Sequence, residues 1–176
     1  MTIALPTRPA PALSVPLLSG GQWTLAEQSP ETFTVVVFYR GKHCPTCKTY
    51  LTSIDQLIGK AAEQGIDVIA ISMDGEDRAR ATVDEIGATH LNVGYNMPED
   101  TARAWGLYMS SARPGSEEPA LFSEPGLFVI RPDGTIFFAQ KQSAPFTRPD
   151  FDSLLGGLAY VVEHNYPARG DLTDIA

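Results

Sequence analysis

Cys44 and Cys47 are the two cysteines of this 176-residue chain, and they share one Cys-Pro-Thr-Cys unit. The run Thr34-Val35-Val36-Val37-Phe38 before them reads as a buried strand. A break at Gly41 follows, and Leu51, Ile54, Leu57, Ile58 and Ala61 then recur at helical spacing. Pro45 suits the first helical turn, where its missing N–H costs nothing. Both sulfurs are therefore expected at a helix N-terminus. Unpaired N–H groups and the positive end of the helix dipole there favour thiolate, the reactive form. Arg40, Lys42, His43 and Lys48 add positive charge within a few residues. Two thiols two residues apart can close a small disulfide ring, one attacking and the other resolving.

Other uses of the pair fit less well. A zinc site takes about four ligands, and His43, His90 and His164 have no ligand spacing around the cysteines. No metal or cofactor is implied beyond the sulfurs. A purely structural disulfide would enclose so short a loop that it would constrain almost nothing.

The elements that must position this unit follow from the pattern. Residues 66–73 form a second apolar strand after a Gln64-Gly65 helix stop, and 78–86 a helix ending at Gly87. Residues 90–95 are a short strand, and Pro98 opens a helix reaching Trp105. Residues 108–124 read as a long polar loop, a candidate lid or partner surface. Residues 126–130 and 135–139 read as a hairpin across Arg131-Pro132-Asp133-Gly134. A last helix spans 149–164, with Phe151, Leu154, Leu155, Leu158 and Val162 on one face. The Pro-rich opening holds a small hairpin, with Trp23 as a packing anchor. Length predicts one domain: an extension at 1–33, the main body at 34–166 and a frayed tail at 167–176. Strands alternating with helices predict an α/β fold with right-handed parallel crossovers.

Composition limits the partners. The formal net charge is −8, from 13 basic and 21 acidic residues, which argues against nucleic acid and anionic membrane. No apolar run approaches a membrane span and no leader pattern opens the chain, so cytoplasm is the expected compartment. There a Cys-x-x-Cys is catalytic more often than structural.

Three stretches carry a resemblance that covers nearly the whole chain. They are Leu18-Ser19-Gly20-Gly21-Gln22-Trp23-Thr24-Leu25, Val35-Val36-Val37-Phe38-Tyr39-Arg40-Gly41-Lys42-His43-Cys44-Pro45-Thr46-Cys47 and Gly126-Leu127-Phe128-Val129-Ile130-Arg131-Pro132-Asp133-Gly134. Together they resemble the thioredoxin-fold superfamily, and within it the peroxiredoxin-like (alkyl hydroperoxide reductase/thiol-specific antioxidant) group. The resemblance implies a thioredoxin-like fold, a central mixed β-sheet flanked by helices, with an N-terminal β-hairpin extension. It implies a thiol-dependent oxidoreductase with antioxidant character.

The motif is a hybrid. Registered on Tyr39, the peroxiredoxin pattern puts its Pro at Arg40, its Thr at Cys44 and its peroxide-attacking Cys at Cys47. Its later Arg falls at Pro125. The thioredoxin pattern instead makes Cys44 the nucleophile and Cys47 the resolving thiol, with a cis-proline at Pro125 holding substrate backbone beside the sulfur. His43 stands where that pattern has tryptophan; it would either add positive charge to the thiol or be a solvated histidine with no role. The favoured reading is thiol–disulfide exchange by Cys44. The first alternative is a peroxidase working through a sulfenic acid, with Arg40 and the helix N-terminus stabilising the leaving hydroxide. The second is a non-enzymatic redox sensor or interaction module whose disulfide state alters the 108–124 loop. Implied partners are a peroxide or a protein or small-molecule disulfide, and a reducing thiol such as a thioredoxin or glutathione system. A homodimer is compatible with the resemblance.

Overall fold

The computed structural model describes residues 4–172. Its centre is a five-stranded mixed sheet in the order β5-β4-β3-β8-β9. The strands are β3 (Phe33–Phe38), β4 (Ile66–Ile71), β5 (Asn92–Gly94), β8 (Gly126–Ile130) and β9 (Ile136–Lys141). β3, β4 and β5 run parallel, whereas β8 pairs antiparallel with both β3 and β9. Helix α1 (Pro45–Glu63) joins β3 to β4, and α2 (Glu76–Ile86) joins β4 to β5. α3 spans Glu99–Ala104 and α4 spans Phe151–His164. The expected opening hairpin is present as β1 (Ser14–Pro16) and β2 (Gln22–Thr24).

Every residue of β3 is buried, because both faces of the central strand are covered. Alternation divides its side chains. Val35, Val37 and the following Tyr39 pack with Leu51 and Ile54 of α1 and with Phe151, Leu155 and Leu158 of α4. Val36 and Phe38 pack on the opposite face with Val15, Trp23, Ala102, Trp105 and Phe128. Trp23 is the packing residue its position suggested. Both cysteines lie in the first of these cores, wedged between the sheet and the helix that carries them.

Segment 108–124 differs from expectation. It forms a small antiparallel pair, β6 (Met109–Ser111) and β7 (Leu121–Ser123), joined through a polar tip. At that tip Glu118 accepts hydrogen bonds from the Arg113 backbone N–H at 2.8 Å and the Ser116 hydroxyl at 3.1 Å. Three-residue strands lack the length for a period-2 signal, so the pairing is hidden among Ser, Pro and Gly. On α4, Phe151, Leu155 and Leu158 are buried, but Val162 is exposed. The last four residues of the expected tail lie outside the described residues.

Candidate active site

The C-terminal end of β3 delivers the chain to the cysteines through a clamped loop. Gly41 has φ +130°, and a Cβ there would stand 2.5 Å from Asp74 Oδ2, so only glycine fits. The same Oδ2 accepts the Lys42 backbone N–H at 2.7 Å, while Arg78 Nε holds Oδ1 at 2.9 Å. The Cys44 N–H donates to the Gly41 carbonyl at 3.1 Å. Asp74 is buried and follows β4, so the loop is tied to the neighbouring strand of the sheet.

Cys44 is the N-cap of α1, with Pro45 at the first helical position as expected. Its Sγ accepts the Cys47 backbone N–H at 3.2 Å and lies 3.4 Å from Thr46 Oγ1. The two cysteines form a disulfide, with Cα atoms 5.2 Å apart. Neither cysteine exposes any surface. The Cys47 sulfur has one further neighbour, which its own stretch of sequence does not contain. Arg148 Nη2 donates to Cys47 Sγ at 3.1 Å, across 101 residues. Arg148 lies just before Asp150, the N-cap of α4. Its guanidinium lies 5.3 Å from the centre of the Tyr50 ring, a cation–π contact.

The basic residues adjacent to the cysteines are committed elsewhere. Arg40 lies 3.3 Å from Glu118 Oε1 and 3.2 Å from Glu124 Oε2, and its guanidinium covers the Phe122 ring at 4.8 Å. Lys42 and Lys48 both pair with Glu85. His43 packs edge-on against Phe122 at 4.7 Å, and neither of its buried ring nitrogens has a hydrogen-bond partner. Burial, reinforced by the nearby Arg40 charge, pushes its pKa below the usual histidine value. Protonation of His43 is thus disfavoured, which weakens the case for it as a source of positive charge at the thiol.

Pro125 also departs from expectation. No cis peptide bond occurs among the described residues, so Glu124–Pro125 is trans. Trans is the lower-energy form even before proline, and nothing here demands a tight turn. The chain runs on from β7 into β8, with the Glu124 N–H on the Tyr108 carbonyl at 2.7 Å and the Gln142 N–H on the Pro125 carbonyl at 3.0 Å. The thioredoxin-like substrate groove expected at this residue loses its basis. Pro125 instead lines a small cavity beside Arg148. Among the described residues no group of His, Cys, Asp and Glu could hold a metal ion, and no helix is long and apolar enough to cross a membrane.

A buried disulfide at a helix start, with a remote arginine on the second sulfur, is an arrangement that can accept two electrons from a thiol and, once it is a dithiol, pass them to an oxidant. The AhpC/TSA family profile matches residues 6–139, most of the chain and the whole span from the opening segment to β9. The chain belongs to the AhpC/TSA family. It is a thiol-dependent antioxidant oxidoreductase of the peroxiredoxin type. No curated protein sequence matches it. The fold is similar to that of reduced 2-Cys peroxiredoxin from Plasmodium vivax, at TM-score 0.77 and 13% identity over 98% of this chain and 92% of that one. AhpC from Enterococcus faecalis gives TM-score 0.73 and 16% identity, with coverage of 93% and 98%. Peroxidoxin BcpB from Mycobacterium tuberculosis gives 0.72 and 16%, with coverage of 90% and 98%.

Sequence reasoning brought Cys44, Cys47, Pro45 and the Gly41 break to one site. It missed Arg148, Tyr50 and Asp74. Of these only Asp74 had a local signal, an acidic residue directly after the second apolar strand.

Proposed function

We propose that the reduced protein is a hydroperoxide reductase in which Cys47 attacks the peroxide and Cys44 resolves. The Cys47 thiolate attacks the terminal oxygen of ROOH. An S–O bond forms, the O–O bond breaks, and the alkoxide leaves to take a proton from solvent. Cys47 is then a sulfenic acid. The Cys44 thiolate attacks its sulfur, the S–S bond forms, the S–O bond breaks, and the leaving hydroxide takes a proton from solvent to become water. An external dithiol, of a thioredoxin or glutathione system, returns two electrons by disulfide exchange.

One observation carries this assignment: Arg148 Nη2 is 3.1 Å from Cys47 Sγ. A cation at that distance favours the thiolate and the negative charge that builds as the O–O bond breaks. Cys47 is also the sulfur that falls on the peroxiredoxin motif's attacking position. The second reading, disulfide exchange led by Cys44, is supported by the Cys47 N–H on Cys44 Sγ at 3.2 Å.

Stopped-flow mixing of pre-reduced protein with hydrogen peroxide, read by Trp fluorescence, separates the two. Wild type and Cys44→Ser are expected to react above roughly 10⁴ M⁻¹s⁻¹, the lower range of enzyme efficiency, with Cys47→Ser silent. A wild type no faster than a free thiol overturns the peroxide reading and favours Cys44-led exchange.

A further inference from the structure

The Arg148 guanidinium faces two surroundings. One edge, Nη2, is on Cys47 Sγ. The other edge, Nε and Nη1, is buried without a hydrogen-bond partner. No carboxylate lies within ion-pair distance of Arg148 among the described residues, in contrast to Arg40, Lys42, Lys48 and Arg78. Nearby, the Tyr50 hydroxyl and both atoms of the Gln142 amide are likewise buried and unpartnered. These three residues come from α1, from the residue after β9 and from the approach to α4. They line one cavity of about 10 Å³, closed by Pro125, Gly126, Leu127 and Pro149. That is room for about one water molecule. Buried polar groups are almost always hydrogen-bonded, and here donors and acceptors of complementary kind meet around one cavity.

We propose that Tyr50 and Gln142 are positioning residues for Arg148: joined to the outer edge of its guanidinium through one water molecule in this cavity, they hold Nη2 against Cys47. The inference rests on the peroxide reading above and deepens it. The Gln142 backbone is anchored by its N–H on the Pro125 carbonyl, so its amide projects from a fixed point. The Tyr50 ring supports the guanidinium from one side, and Tyr50 lines the cavity with its hydroxyl buried and unpartnered. Burial pushes the Tyr50 phenol well above its usual pKa, so it remains neutral and able to donate. The charged and titratable groups facing Arg148 are Tyr50, Arg40 and Glu124, and Asp150 faces Tyr50. None of these carboxylates pairs with Arg148, so its orientation depends on the neutral partners.

The test titrates Cys47 as the lone thiol, in a Cys44→Ser background, by ultraviolet thiolate absorbance. The arms are the parent, Tyr50→Phe, Gln142→Leu and Arg148→Met. Tyr50→Phe keeps the ring and removes only the hydroxyl. Both positioning variants are expected to raise the apparent thiol pKa by about half a unit, roughly threefold in thiolate below that pKa. Their peroxide rates should fall by the same factor below that pKa and converge with the parent above it. Superimposed titrations, or a rate loss equal at every pH, overturn the proposal. Arg148→Met separates the levels. If it changes neither profile nor rate, the peroxide reading of the site fails. If it changes both while Tyr50→Phe and Gln142→Leu change neither, only the positioning role fails.

Discussion

Two regions of the molecule supply positive charge near the dithiol, and they handle it in opposite ways. The loop before α1 and the first turn of that helix are rich in cations, but each has an anionic partner or is held in surroundings that disfavour its protonation. Arg40 meets Glu118 and Glu124, Lys42 and Lys48 meet Glu85, and burial lowers the pKa of His43. The segment before α4 supplies one arginine, Arg148, with no carboxylate partner and one nitrogen on Cys47 Sγ. Proximity in sequence thus gives structural ion pairs, whereas the charge left free to act on a sulfur comes from a distant segment. A cation already matched by a buried carboxylate has little field left to offer a thiolate.

The largest expected effect tests the second region. Arg148→Met should lower the peroxide rate constant roughly 100-fold, the usual cost of losing one donor to developing negative charge. The urea midpoint should change little, because no ion pair is broken. A variant that keeps its rate and loses its stability would reverse the comparison.

Arg40→Met should behave in the opposite sense. It strands the Glu124 carboxylate, 5% exposed, without its cation. Removing one partner of such a pair costs on the order of 3 kcal/mol, read as a lower urea midpoint. Peroxide reactivity should stay near wild type, since Arg40 is spent on Glu118 and Glu124. If Arg40→Met instead slows the thiol as much as Arg148→Met does, the two regions are not distinct.

The third prediction concerns acid. The Arg113 backbone N–H, Ser116 and the Arg113 side chain hold the Glu118 carboxyl at about 2, below its ordinary value of 4.5. The folded value is below the unfolded one, so its stabilising contribution is complete above pH 4.5 and is lost as pH falls towards 2. Urea midpoints measured between pH 5 and pH 3 should therefore fall more steeply for wild type than for Glu118→Gln. Parallel slopes would mean that the charge of Glu118 does not hold the β6–β7 tip together through Arg113 and Ser116.

Much of this was legible in the chain. β3, β4, β8 and α1 announce themselves through continuous or periodic apolar residues, and the cysteines fall where the strand must give way to a helix. The β6–β7 pair was not legible, since its strands are too short for alternation to register. Arg148 was hidden for another reason. Local pattern explains Pro149 and Asp150 as a helix start, but nothing in 143–150 records that the α4 approach passes over the sulfur. Nor could the neutralisation of Arg40 be read, because Glu118 and Glu124 lie about eighty residues away and reach it only through the folding of the hairpin. The trans bond at Pro125 shows the limit of analogy by position. The proline stands at the expected place in the strand order, while its peptide geometry follows from the extended run of β7 into β8.

The smallest effect sharpens the comparison most, because it asks whether a histidine beside a reactive cysteine carries charge. His43 has two buried nitrogens without partners and sits against Phe122 with Arg40 nearby. Its folded pKa is below the ordinary 6.5, so the unfolded chain binds the proton more readily. Its contribution to stability is present above pH 6.5 and declines as pH falls below it. His43→Leu removes both the titration and two unsatisfied nitrogens, so its urea midpoint should hold better than that of wild type between pH 7 and pH 5. The thiolate titration of the reduced protein should be unchanged, because a neutral imidazole lends no field to Cys44. A rise in thiol pKa in His43→Leu would mean that the histidine is a cation in the reduced protein, and the loop before α1 would then act on the sulfur after all.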